Sequence, residues 1–231
     1  MAFMSEIWSL LNSGLGESAY NMALDEALLE GAGRTGQPLL RFYGWLEPAA
    51  TFGYSQSYAR VAQLTRLRPL IRRCTGGGLV PHDRDWTYSL VFPPSHAWFA
   101  LHARESYFRV HEWLRIAFAQ VRLQTELSPE RRPLAPGQCF VGAEQSDLLW
   151  RGAKIAGAAQ RRTRCGLLIQ GSVQPPDSGW ARTDWEGAMR KTAEQAWGVT
   201  WSESAPDAQT RERALALTVE KYSQASHNLR R

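Results

Sequence analysis

Three short strand-like runs separated by two tight turns constrain the fold of this chain more than any other feature. The runs are DLLW, KIAGAAQRR and LLIQGSV, and the segments RGA and TRCG separate them. Runs of this length with turn residues between them are typical of strands connected by hairpins. The sequence therefore predicts an antiparallel meander of three strands between residues 147 and 173.

Helices are predicted before and after this meander. In the segment 17–33, apolar residues recur at helical spacing, with Ser18 as the expected N-cap and with Gly31 and Gly33 as the expected end. Residues 107–121 show the same periodicity and predict a second helix. Two further helices are expected in the C-terminal part of the chain.

Further strands are expected in the first half of the chain. LLRFYGW and AATFGYSQ are rich in aromatic and β-branched residues and are interpreted as a strand pair. PLIRRC is expected to be a strand that runs into a glycine turn, and WTYSLVFPP the strand that returns. Strands in two groups, with helices between and after them, predict an α+β fold rather than an alternating parallel sheet.

Length and composition bound the class of protein. The chain has 231 residues, of which 44% are hydrophobic, and we expect one compact domain over residues 1–231. No apolar run is long enough to span a membrane, and the first residues lack the pattern of a secretory signal, so a cytoplasmic location is expected. The net charge of +5 favours an acidic partner, but the arginines are spread along the chain and predict no nucleic-acid-binding stripe.

The three cysteines, Cys74, Cys139 and Cys165, are too few and too scattered for a disulfide framework or a zinc site. Cys139 follows the proline-rich segment LSPERRPLAPG, which predicts an exposed connection where a thiol is available. A small buried hydrophobe is the alternative for this residue. Cys74 and Cys165 are interpreted as structural. The histidines lack ligand-like spacing, so no metal site is predicted.

Lys154 is one of only three lysines among 27 basic residues. Lysine carries a compact, movable charge, whereas arginine presents a flat fork. If Lys154 lay beside Cys139, it would lower the pKa of the thiol and donate a hydrogen bond to an oxygen that becomes negative during attack on a carbonyl. Spacing alone leaves open whether the two residues meet. Chance retention of three lysines is the alternative.

The segment RRCTGGGLVPHD, residues 72–83, is a second candidate site. Its three consecutive glycines free the backbone for positive φ and let N–H groups approach a ligand such as an anion or an extended acyl chain. A plain glycine turn is the alternative interpretation. His82 follows the loop and is a candidate acid–base group, with a hydrogen-bonded structural histidine as the alternative.

Together, RRCTGGGLVPHD, TYSLV and GAKIAGAAQRR…GLLIQGSV resemble the biotin/lipoate protein ligase and lipoyl(octanoyl)transferase superfamily. The resemblance extends from about residue 21 to about residue 173. It implies the catalytic-domain fold of that superfamily, with mostly antiparallel sheets flanked by helices, in a single acyltransferase domain. It also implies a catalytic role for Lys154 at the acyl carbonyl. Binding of the acyl substrate is implied for Arg73, Thr75, Gly76, Gly77 and Gly78, and we also expect it for His82 and Gly157.

Within the superfamily the chain looks more like the cysteine-dependent octanoyltransferases than like the ligases. The dipeptide Cys139-Phe140 falls where those transferases have their nucleophile, and Tyr54 stands where ligases have arginine. Gly78 instead matches the ligases. The chain is also expected to be too short for the accessory domain that many ligases carry or recruit. The resemblance thus implies octanoyl transfer through a thioester on Cys139.

The resemblance also implies the partners. Octanoyl-acyl carrier protein is the expected donor, and an apo lipoyl domain or the glycine cleavage H protein is the expected acceptor. No nucleic acid, membrane or cofactor is expected. ATP and Mg²⁺ are required only if the chain is an ATP-dependent lipoate–protein ligase, which is the main alternative. A lipoyl-domain amidotransferase that uses the same cysteine, and a non-enzymatic binding module, are the others.

Overall fold

The computed structural model describes residues 6–130, 142–176 and 179–230. The strands are β1 (Glu6–Gly16), β2 (Leu39–Trp45), β3 (Ala49–Phe52), β4 (Leu70–Arg72), β5 (Val80–His82), β6 (Trp86–Phe92), β7 (Glu126–Leu127), β8 (Leu148–Trp150), β9 (Ala153–Thr163), β10 (Gly166–Val173) and β11 (Val199–Glu203). The helices are α1 (Ser18–Thr35), α2 (Tyr58–Leu64), α3 (Ala97–Ala100), α4 (Ala103–Gln120), α5 (Arg182–Trp197), α6 (Ala208–Leu217) and α7 (Ala225–Asn228), and a π-helical turn, Thr218–Tyr222, follows α6.

A large mixed sheet dominates the described part of the chain, with the strand order β11-β1-β2-β6-β10-β9-β8-β7. β1 runs parallel to β2 and β11, and the remaining neighbours are antiparallel. A small sheet has β3 at its centre, parallel to β4 and antiparallel to β5. The predicted α+β class and the predominance of antiparallel pairing are therefore confirmed.

Helices cover both faces of the large sheet because its strands alternate apolar side chains between two cores. On β6, Trp86, Tyr88, Leu90 and Phe92 point to the core formed with α4 and α5, as their spacing predicts. Val91, between them, points to the opposite core with α1 and α6. No helix in the described ranges is long and apolar enough to cross a bilayer.

The predicted meander is confirmed as β8, β9 and β10, which pair antiparallel in this order. Arg151 and Gly152, in the turn between β8 and β9, have φ values of 50° and 77°. This turn sends β9 back along β8 and brings Leu149 opposite Lys154. The helix expected over residues 107–121 is also present, as the larger part of α4.

The predicted ends of α1 were wrong at both termini. Ser18 is the first helical residue and Glu17 is the N-cap, without a capping side-chain hydrogen bond. The helix continues through Gly31 and Gly33 and ends at Gly36, whose φ of 67° stops it. Packing explains the difference, because Ala32 is buried against the sheet between the two glycines and outweighs their low helix propensity.

Two predicted strand pairings were also wrong. β2 and β3 do not pair, because β2 lies between β1 and β6 in the large sheet while β3 is the centre of the small one. β6 does not pair with β4 either, because it pairs with β2 and β10 in the large sheet. β5 lies between β4 and β6 in the sequence. The elements that were not predicted from the sequence are β1, β5, β7, β11, α2, α3 and α7.

Candidate active site

A cavity that opens to solvent lies between the small sheet, the glycine loop and the β9–β10 hairpin, with about 480 Å³ of empty space including its open mouth. Of the residues predicted to act on an acyl substrate, Arg73, Gly77, His82, Lys154 and Gly157 line it. Residues that sequence reasoning missed also contribute to the wall, namely Met22, Tyr43, Thr51, Val80, Thr87, Ala158, Ala159, Gln170, Gly171 and Ser172. The structure thus brings two separate sequence motifs, the glycine loop and the start of β9, to one cavity.

Lys154 is fixed by an ion pair in this cavity. Its Nζ lies 2.6 Å from Asp147 Oδ2, and the two side chains are only 7% and 6% exposed. The same carboxylate oxygen accepts a hydrogen bond from the backbone N–H of Glu144 at 2.7 Å. Burial raises the pKa of the Asp147 carboxyl, and Lys154 opposes that rise. Asp147 is therefore a site residue that was not predicted from the sequence.

Gly157 provides the space in which the Lys154 side chain lies. A Cβ at position 157 would stand 2.7 Å from both Cε and Nζ of Lys154, and 3.2 Å from Asp147 Oδ1. Any larger residue would displace the ammonium. The presence of glycine three residues after Lys154 therefore has a steric reason.

The glycine loop is held in shape by Arg73. Its Nη2 donates to the carbonyl oxygen of Gly76 at 2.6 Å, and its Nε donates to Thr75 Oγ1 at 3.1 Å. Gly77 has a φ of 86°, and its carbonyl packs on Gly53, where a Cβ would stand only 2.0 Å away. Thr75, Gly76 and Gly78 belong to the loop but are not among the lining residues.

A network of buried polar side chains connects the glycine loop to α1. The Thr75 hydroxyl donates to Gln170 Oε1 at 2.7 Å, and Gln170 Nε2 donates to Asp25 Oδ2 at 2.7 Å. Asp25, fully buried on α1, also forms an ion pair with Arg41 at 2.6 Å and accepts from Ser89. Each hydrogen bond in this network joins a different element, so the network couples the position of the glycine loop to the core of the large sheet.

His82 is held on three sides at the edge of the cavity. Its Nε2 lies 2.8 Å from Thr51 Oγ1 and its Nδ1 lies 2.8 Å from Asp85 Oδ2. Its ring stacks on Trp45, with centroids 3.8 Å apart. The predicted candidate acid–base group thus has the carboxylate partner that such a role requires.

His111 lies on α4 behind Lys154 and is 1% exposed. Burial, followed by the nearby Lys154 charge, lowers the pKa of His111 to about 3, although the backbone of Ser146 opposes this. The ring is therefore neutral at physiological pH and adds no second positive charge beside Lys154.

The cysteines separate into three cases. Cys74 is 2% exposed, and burial raises the pKa of its thiol to about 12, so it is not a nucleophile at neutral pH. Cys165 lies in the predicted turn between β9 and β10 and is not among the lining residues. Cys139, the predicted nucleophile, lies in the stretch 131–141, outside the described residues.

Comparison with known proteins decides the family. Residues 17–174 match the family model described as the lipoyl protein ligase A/B catalytic domain. The chain belongs to this family. The match covers both the glycine loop and the Lys154 strand, as the sequence resemblance implied.

Curated relatives of this lipoyl protein ligase A/B family member include the octanoyltransferase LipM of Staphylococcus epidermidis, which is 33% identical over 183 residues, 74% of this chain. The octanoyltransferase LipM of Oceanobacillus iheyensis is 35% identical over 179 residues, also 74% of this chain. The matches span 66% and 64% of the length of these two relatives, so the chain covers just under two thirds of each.

Solved structures show the same fold at low sequence identity. Protein Ta0514 of T. acidophilum has a TM-score of 0.81 at 19% identity, over 98% of this chain and 99% of that one. A lipoate-protein ligase A bound with ATP has a TM-score of 0.77 at 19% identity, with the same coverage of both chains. The implied catalytic-domain fold is therefore confirmed over nearly the whole chain.

Proposed function

We propose that this protein transfers an octanoyl group from acyl carrier protein to a lysine of a lipoyl domain, through a thioester on Cys139. The observation that carries the proposal is the buried Lys154 ammonium, which faces a cavity that also has the glycine loop in its wall. The similarity to octanoyltransferases LipM over 74% of the chain supports this activity over the alternatives.

The proposed reaction has two steps. The Cys139 thiolate attacks the thioester carbonyl of the donor; the new carbon–sulfur bond forms and the carrier thiolate leaves. The acceptor lysine then attacks the octanoyl-enzyme, and the Cys139 sulfur leaves as the amide forms. Lys154 donates a hydrogen bond to the carbonyl oxygen, which becomes negative in each tetrahedral intermediate. A thiol suits this exchange because it is both a good nucleophile and a good leaving group.

The length of the intervening chain limits how far Cys139 can lie from Glu144. Glu144, five residues further along the chain, is tied by its N–H to Asp147, and Asp147 holds Lys154. Five residues span at most about 18 Å when fully extended. This limit is compatible with the proposed attack of the thiol on the carbonyl that Lys154 contacts.

The proposed acceptors are an apo lipoyl domain and the glycine cleavage H protein, and the proposal needs no cofactor. ATP and Mg²⁺ would enter only with the ligase activity. The net charge of +5 suits acidic carrier and lipoyl domains, because opposite charge speeds encounter between proteins.

The test is intact-mass measurement after incubation with octanoyl-acyl carrier protein in the absence of ATP. We expect one octanoyl adduct on the wild type and on the control variant Cys165→Ala, and none on Cys139→Ala. An equally large adduct on Cys139→Ala would exclude the assignment. Formation of AMP from lipoate and ATP would favour the ligase, and faster transfer from an octanoylated lipoyl domain than from acyl carrier protein would favour the amidotransferase.

A further inference from the structure

Thr51, His82 and Asp85 form a continuous buried hydrogen-bonded chain beside the cavity. Thr51 Oγ1 lies 2.8 Å from His82 Nε2, and His82 Nδ1 lies 2.8 Å from Asp85 Oδ2. The three residues are 2%, 5% and 8% exposed. They come from β3, from β5 and from the turn before β6, so only the tertiary fold brings them together.

The direction of these hydrogen bonds follows from their partners. Asp85 Oδ2 also accepts from the hydroxyls of Thr87 at 2.9 Å and Ser172 at 2.7 Å, as expected of an ionised carboxylate. The Nδ1 of His82 therefore carries its proton, and in the neutral ring Nε2 accepts from the Thr51 hydroxyl. Arg73 Nη1 donates to the same Thr51 oxygen at 3.3 Å, which fixes the hydroxyl proton toward His82.

This arrangement can move a proton out of the cavity. Thr51 and His82 both line it, as does Lys154. A hydroxyl hydrogen-bonded to a histidine whose far nitrogen is held by a carboxylate is the geometry by which proteins transfer protons between a substrate and an imidazole. Lys154, paired with Asp147 and charged, is a donor to an oxygen and is poorly suited to accept that proton.

We propose that His82, acting through the Thr51 hydroxyl, accepts a proton from the acceptor lysine in the second half of the reaction, and that Asp85 holds the imidazole in the required tautomer. This inference rests on the proposed octanoyl transfer. It assigns to the Thr51–His82–Asp85 chain a step that the Cys139 and Lys154 side chains do not provide.

The proton balance is closed. The acceptor enters as an ammonium and loses two protons in becoming an amide nitrogen. One passes to Thr51 as the Thr51 proton moves to His82 Nε2, before the nitrogen bonds to the thioester carbon. The second goes to the Cys139 sulfur as the carbon–sulfur bond breaks, which leaves a thiol. The His82 imidazolium then releases its proton to solvent.

The pH dependence of this step depends on the groups that surround His82. Besides Asp85, these groups are the Arg73 guanidinium, which donates to Thr51, the Tyr43 phenol on β2, and the Lys154 ammonium, which lines the same cavity. Burial raises the pKa of Tyr43 well above its usual value, so the phenol stays neutral.

The test separates the two half-reactions in four variants: Thr51→Val, Thr51→Ser, His82→Gln, and Thr35→Val as the matched control. Thr35 is exposed at the end of α1. Acylation is followed by intact mass with octanoyl-acyl carrier protein. Transfer is followed by mixing the isolated octanoyl-enzyme with apo lipoyl domain in a single turnover, at a series of pH values. Thermal unfolding of each variant monitors the fold.

We expect Thr51→Val and His82→Gln to lose far more transfer than acylation, with transfer roughly 100-fold or more slower than in the wild type, the usual contribution of a general base. The wild-type transfer rate should rise with pH as the imidazole base loses its proton, and this component of the pH profile should be absent in His82→Gln. Thr51→Ser keeps the hydroxyl and should transfer at nearly the wild-type rate, as should Thr35→Val.

Three results would overturn the inference. The first is transfer at the wild-type rate by Thr51→Val, which also decides the case if His82→Gln does not fold. The second is an unchanged pH profile in His82→Gln. The third is an equal loss of acylation and transfer that Thr51→Ser does not restore, since this would indicate a structural role. If the wild type itself forms no octanoyl adduct, the proposed function fails and the inference with it, a result distinct from all three.

Discussion

The Lys154 ammonium and the Asp147 carboxylate lie 2.6 Å apart at the cavity wall, with both side chains more than nine-tenths buried. Each ion has been removed from water, so each depends on the other for compensation. The backbone N–H of Glu144 gives the carboxylate a second partner. The ion pair therefore holds the Lys154 ammonium at one position in the cavity wall.

Asp147→Asn is expected to lower the free energy of unfolding by about 3–5 kcal/mol, because it leaves a buried ammonium without its counter-ion. Lys154→Met should have a comparable effect by stranding the carboxylate. The double variant should be more stable than the sum of the two losses predicts, by about 1 kcal/mol or more. Denaturant unfolding of the four proteins measures this coupling. Strictly additive losses would show that the two charges do not interact in solution.

Lys154→Arg keeps the positive charge but is expected to lose most octanoyl transfer. The Lys154 side chain lies against Gly157, where its terminal atoms are 2.7 Å from the position of a Cβ, and the larger planar guanidinium does not fit that space. Acyl-enzyme formation measured by intact mass provides the check. A variant as active as the wild type would show that any cation suffices at this position.

Gly157→Ala should move Lys154 and reduce the rate of acyl-enzyme formation, while the protein remains folded. A Cβ at residue 157 would overlap Cε and Nζ of Lys154, and only the flexible end of that side chain has to move. Gly187→Ala on α5 is the matched control, because a Cβ there meets nothing within 4 Å and alanine favours a helix. Equal activity of the two variants would contradict the steric argument.

The sequence predicted the parts of the site that depend on local pattern. The β8–β9–β10 meander follows from runs and turns that are adjacent in the chain, and so does the position of Lys154 at the start of β9. Asp147 was missed although a signal was present. It immediately precedes β8, and the two-residue turn after β8 returns the chain to Lys154.

Contacts between distant residues could not be predicted in the same way. β1 pairs with β11, and Glu6 lies opposite Val199, although the two strands are near opposite ends of the chain. No local turn pattern in either strand predicts this pairing. Thr51 likewise meets His82 across 31 residues. Asp25 lies on α1, where a carboxylate would ordinarily face solvent, and only the fold shows that Arg41 reaches it.

Gly53→Ala is expected to disrupt the glycine loop, whereas Gly76→Ala is expected to leave the fold unchanged. A Cβ at residue 53 would stand 2.0 Å from the Gly77 carbonyl oxygen, a backbone atom that cannot move without displacing the loop. A Cβ at residue 76 meets nothing within 4 Å. Thermal unfolding of both variants tests the contrast. Equal stability would show that the loop does not pack on Gly53 in solution.

His111 is expected to make the stability of the protein depend on pH below 6.5. Burial and Lys154 lower its folded-state pKa to about 3 from the ordinary value of 6.5, so the unfolded chain takes up a proton that the folded chain refuses. The stabilisation is fully present above pH 6.5 and is lost as the pH falls toward 3. Between pH 7.5 and pH 5 the loss from this residue should be about 2 kcal/mol.

His111→Gln isolates this contribution because glutamine does not titrate. Burial also lowers the pKa of His227, but that residue is present in both proteins, so its effect cancels when the two pH dependences are compared. Denaturant unfolding at pH 7.5, 6 and 5 should give a steeper loss of stability for the wild type than for His111→Gln. Parallel losses would show that the folded protein protonates His111 readily, and the ring would then place a second positive charge behind Lys154 at mildly acidic pH.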